Sequence, residues 1–147
     1  MTFLSKLIIA ILSAIIFSLT LAFYEYTPSA QQQADVGYFP YDALFVLCFL
    51  YSIPIYIIGG IPYSLYVDIY FEKIKFRNEV QKYIMYFLIY IAGGLLIVGI
   101  LLFISVLIDG DVSGLLISNV FILGVCASLL FFHISLLFNK VLKILAK

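Results

Sequence analysis

Apolar residues in this chain gather into four runs, at residues 7–24, 44–67, 83–108 and 115–138, separated by short stretches of polar and charged residues. A helix rises 1.5 Å per residue, so each run is long enough to cross a hydrocarbon core of about 30 Å. The runs predict an all-α integral membrane protein. They form a single membrane domain over residues 1–147, a bundle of four transmembrane helices in which short connections make successive spans antiparallel. Loops 25–43 and 109–114 then lie on one side of the membrane and loop 68–82 on the other.

Composition strengthens this picture. Of the 147 residues, 65% are hydrophobic and 11% charged, against about a quarter charged in soluble domains. The four spans leave no room for a separate soluble domain. The charges also fix an expected orientation. Lys6 precedes the first run, Lys73, Lys75, Arg77 and Lys82 lie between the second and third, and Lys140, Lys143 and Lys147 follow the fourth. The other two loops hold no base. By the positive-inside rule both termini face the cytoplasm, an N-in/C-in arrangement in a cell membrane. Five acids (Glu25, Asp35, Asp42, Asp109 and Asp111) then face outward, while Asp68, Glu72 and Glu79 share the basic inner loop. The bilayer is the expected partner, and a net charge of zero gives no reason to expect nucleic acid. The first run is longer than the apolar core of a secretory signal, and Pro28 spoils the nearest cleavage stretch, so a retained helix is expected.

The second run is the irregular one. It carries Pro54 and then Gly59-Gly60-Ile61-Pro62. Each proline removes a backbone donor and crowds the carbonyl four residues earlier, so two kinks are expected. In lipid the freed carbonyls must find protein or water, which turns this stretch toward its neighbours. Gly60 and Ser64, four apart, suit close helix approach. Tyr56, Tyr63 and Tyr70 recur every seven residues, and Tyr83, Tyr86 and Tyr90 share one face of the third run, so these two faces are expected to meet. Gly93-Gly94, Gly99 and Gly124-x-x-x-Ser128 offer further small faces, within one chain or between copies. Tyrosines and Phe39 around the first loop read as an interfacial belt.

Ionisable groups inside a membrane are the natural place to seek function. Asp68 closes the second run and His133 lies in the fourth, both in the inner leaflet. Two readings stay open: a proton-carrying Asp68–His133 pair, or an interfacial aspartate and a histidine hydrogen-bonded within the bundle. With Gly59, Gly60, Pro62 and Ser64, these two are the candidate functional residues. No catalytic, cofactor-binding or metal-ligating motif is present in the sequence. The turn Asp109-Gly110-Asp111 offers too few oxygens for a calcium site. Cys48 and Cys126 sit at depths about 10 Å apart, too far for a disulfide.

Four spans, cytoplasmic ends and the segment Gly60-Ile61-Pro62-Tyr63-Ser64-Leu65 leading to Asp68 resemble a family of uncharacterised small membrane proteins of spore-forming Gram-positive bacteria. The resemblance implies a source and a topology and no activity. Small multidrug exporters carry an acid in the first span, which residues 7–24 lack, and dual-topology channels lack so strong a charge bias. The expectation is a multi-pass bacterial membrane protein that is not an enzyme. It binds a membrane-protein partner or a second copy, as an immunity, exclusion or accessory factor does. The alternative is a subunit of a small oligomeric transporter or channel.

Overall fold

The structure is a computed structural model and describes residues 3–33, 36–74, 76–109 and 117–145. Asp35, Lys75, Lys147 and the expected turn at Gly110–Asp111 lie outside these residues. Five α-helices make up most of the rest: α1 (Phe3–Glu25), α2 (Tyr41–Pro54), α3 (Ile61–Glu72), α4 (Glu79–Asp109) and α5 (Ile117–Leu145). No strand occurs among the described residues. Four helical stretches are long and apolar enough to cross a membrane, the second being α2 and α3 joined through Ile55–Gly60. The helices overrun the apolar runs at their ends. At 31 residues, α4 is about 46 Å long, so across a hydrocarbon core of about 30 Å it would tilt or extend into the headgroups.

Lys6 and Asp68 pair at one end of the bundle, and Tyr83 meets His133 at the same end. Successive spans therefore run antiparallel. This end also carries Lys73, Arg77, Lys82 and Lys140, all exposed; it is called the basic end here. At the far end the α1–α2 connection contains one 3₁₀ turn, Ser29–Gln31, and the Tyr26 ring meets Tyr41 edge to face.

The spans are arranged in the order α2, α1, α5, α4, with α1 packed on both α2 and α5 and α4 on α5. A helix that packs on two sides needs a narrow profile. The buried face of α1 is accordingly made of Lys6, Ile9, Ala10, Ser13, Ala14, Ser18 and Ala22, most of them small. Lipid supplies no hydrophobic drive between helices, so close backbone approach and polar contacts hold them instead. The α4–α5 crossing works this way. A Cβ on Gly94 would lie 2.6 Å from the Gly124 carbonyl oxygen and from Ser128 Oγ, so the small faces meet within one chain. The larger apolar side chains, Leu96, Phe103 and Leu107 among them, point outward, where lipid would cover them.

Neither expected kink in the second span is a break. Pro54, Gly60 and Ile61 all keep right-handed helical angles. The chain instead widens into one π-helical turn, Ile55–Gly60, whose Ile61 N–H bonds to the Tyr56 carbonyl five residues back. Pro62 is the second residue of α3, one position after the Ile61 whose N–H closes the wide turn. The wide turn also relaxes the carbonyls that the Pro62 ring would crowd.

Candidate functional site

Within the basic half of the bundle the polar side chains of three helices converge. Lys6 comes from the first turns of α1 and is 1% exposed. Its Nζ lies 2.8 Å from Asp68 Oδ2 and donates to Ser64 Oγ at 2.6 Å. Ser64 and Asp68 are four apart on α3, so one face of that helix presents both to the ammonium. Ser64 Oγ also shares a hydrogen bond of 2.7 Å with the Tyr90 hydroxyl of α4. A charge in hydrocarbon is costly, and here carboxylate and hydroxyl replace the water that Lys6 gives up. The network ties α1, α3 and α4 together at one level.

Tyrosines extend this tying outward. Tyr56, in the wide turn, donates to the Ala127 carbonyl of α5 at 3.0 Å. Tyr63 donates to the Ile89 carbonyl of α4 at 2.6 Å, with its ring lying over Gly93, where a Cβ would come within 2.3 Å. Tyr63 also meets Tyr90 edge to face. Of the two tyrosine sets, Tyr63 and Tyr90 meet, whereas Tyr56 and Tyr83 turn to α5 instead.

Of the residues singled out by sequence, Ser64 and Asp68 belong to this network. Gly60 lies beside Tyr56 and Phe131, and Gly59 faces Ile97 of α4. Pro62 is exposed on the outer surface of the bundle. His133 is elsewhere, and the Asp68–His133 pairing gives way to Lys6–Asp68. The His133 Nδ1 lies 2.7 Å from the Leu129 carbonyl. A carbonyl only accepts, so Nδ1 donates to it, and Nε2 shares a hydrogen bond of 3.2 Å with the Tyr83 hydroxyl. That bonding satisfies the imidazole locally and leaves the carboxylate to the lysine. Lys6 was legible only as a flanking base. Its signal is the stripe it shares with Ala10, Ser13, Ala14, Ser18 and Ala22, which marks the packed face of α1.

Two clefts adjoin the network. Between α2 on one side and α4 and α5 on the other lies an apolar cleft of about 300 Å³, with Cys48, Tyr56, Tyr90, Ile97 and Leu123 in its wall. It exists because α2 and α4 sit at opposite ends of the packing order. At the basic end a second cleft of about 510 Å³ is lined by Asp68, Glu79, Lys82, Tyr83, Asn139 and Lys140, among others. Tyr90 belongs to the walls of both. The two cysteines are free. Among the described residues no group of three or more His, Cys, Asp or Glu is placed to hold a metal ion. No family model, curated protein or solved structure matches this chain.

Proposed function

We propose that the chain is a multi-pass protein of the bacterial cytoplasmic membrane, with both termini inside, that works without catalysis as an accessory protein. It holds another membrane component against the cleft between α2 and α4, in the manner of an immunity or exclusion factor. One contrast carries this reading. Every buried polar side-chain atom among the described residues has a partner, so the interior is spent on holding the helices, while an apolar cleft stands open at the side of the bundle. The confinement of all eight bases to the N-terminal segment, the middle connection and the C-terminal segment of the sequence supports the orientation.

Cys48 lines that cleft and supplies the test. In a Cys126→Ser background, a photoreactive crosslinker on Cys48 in native membranes should capture one component reproducibly. The same crosslinker on Leu107→Cys, with Cys48 also replaced, sits on an outward face and should label at random. Random labelling from both positions would refute the reading.

A second reading is favoured by one specific feature: the wide turn stands beside a buried charge pair where two clefts meet at Tyr90. Single wide turns within helices often mark functional sites. A small transporter or channel subunit would give flux in proteoliposomes above the rate of empty ones, and Asp68→Asn would abolish it. Flux at the empty-liposome rate rejects it.

A further inference from the structure

The two clefts share Tyr90, so they lie end to end along α4. From Glu79 to Tyr90 the wall carries the charged and hydroxyl groups of Glu79, Lys82 and Tyr83 among apolar rings, and from Tyr90 to Leu101 it is apolar. Each part spans about 16 Å at 1.5 Å per residue. A charged head followed by a hydrocarbon chain has the same order of polarity and the same scale. We propose that this groove binds one phospholipid from the leaflet at the basic end. Its head occupies the polar cleft, and one acyl chain runs past Tyr90 into the apolar cleft. The assignment rests on the cleft being an interaction surface, and it names the occupant.

The charges specify the head. Lys82 and Lys140 stand in the polar cleft with Glu79 and Asp68. Among the described residues the ion pair is Lys6–Asp68, and none joins Glu79, Lys82 and Lys140 to one another. Lys6 neutralises Asp68, and among the described residues no ion pair occupies the two ammonium groups, which face phosphate oxygens, or the Glu79 carboxylate, which suits a cation. A head with a phosphate and a primary ammonium satisfies both signs. A trimethylated ammonium has no N–H to give Glu79, and a glycerol head has no cation. The Tyr83 hydroxyl and the Asn139 amide line the same cleft.

The other end of the groove is suited to hydrocarbon. Leu21, Ile97, Leu101 and Leu123 line it, and water entering it would find few polar partners. The Tyr90 ring, stacked on Phe132 at 5.1 Å, forms the threshold between the two parts.

The test uses the full chain carrying Cys126→Ser, in nanodiscs of equal phosphatidylethanolamine, phosphatidylglycerol and phosphatidylcholine. Native mass spectrometry should show one retained lipid, the ethanolamine form about fivefold over either other. Lys82→Gln with Lys140→Gln should bring the three near parity, whereas Lys73→Gln with Arg77→Gln, at the same end outside the cleft, should leave the preference intact. Leu123→Trp narrows the apolar cleft and should lower retention of all three. Cys48 alkylation should be slowed by the whole lipid and left unchanged by phosphoethanolamine or inorganic phosphate. Equal retention of the three lipids, an equal loss in the Lys73/Arg77 variant, or protection of Cys48 by the head alone would overturn the assignment. A protein crosslinked at Cys48 with no preferred lipid would overturn it too while leaving the accessory reading standing. With neither a protein nor a preferred lipid, both readings fail.

Discussion

An ammonium group inside an apolar bundle keeps its charge only where other polar groups replace its hydration, and for Lys6 both replacements come from α3. Removing one partner strands the other. Asp68 is 23% exposed and Lys6 is 1% exposed, so losing the carboxylate is the worse of the two. Asp68→Asn should destabilise the protein by about 3–5 kcal/mol, and Lys6→Met by less, because a stranded Asp68 retains some solvent. The double substitution Lys6→Met with Asp68→Leu should recover most of the loss, since a buried pair contributes little beyond an apolar replacement. Equilibrium unfolding in mixed detergent micelles measures all three. Equal and negligible losses in the single variants would mean that the pair does not hold the helices. The carboxylate was identifiable in advance because an acid at the end of an apolar run stands out. Its partner was hidden, because a lysine just before an apolar run ordinarily anchors in the headgroups. The distinction depends on where α3 stands, which no local pattern states.

At the scale of elements, the α4–α5 crossing is the most closely packed junction described. Gly94→Ala would push a methyl group to 2.6 Å from the Gly124 carbonyl oxygen, a backbone atom with no rotamer to yield. It should cost about 1–3 kcal/mol. Gly99→Ala meets nothing within 4 Å and should fold as well as the parent. Thermal unfolding of the two variants side by side separates a packing effect from a general glycine effect. This junction was readable from Gly93-Gly94 and Gly124-x-x-x-Ser128, because small residues four apart have few other uses in a membrane helix. The second span was readable only in part. Its prolines and glycines marked an irregularity, but whether the chain breaks or widens depends on Tyr56 anchoring to Ala127 and on Gly59 and Gly60 fitting against Ile97 and Phe131. Those partners lie on other helices.

For the whole molecule, the four spans followed directly from apolar run length, whereas their packing order did not. Connection length suggests that the second and third spans pack together, yet α1 and α5 fill the middle and α2 stands off from α4. Small side chains on α1 decide this, since they let two helices close in on it at once. Orientation has its own check. With Cys48 and Cys126 replaced, Gln32→Cys should react with a membrane-impermeant maleimide on intact cells, and Asn78→Cys only after lysis. The reverse pattern would invert the topology. The Lys6–Asp68 pair has a further consequence in time. During synthesis Lys6 emerges first, and its counter-ion follows only after the whole second span has been made. Inserted span by span, α1 would keep its ammonium in contact with water until α3 supplied the carboxylate, so a later segment would complete the seating of an earlier one.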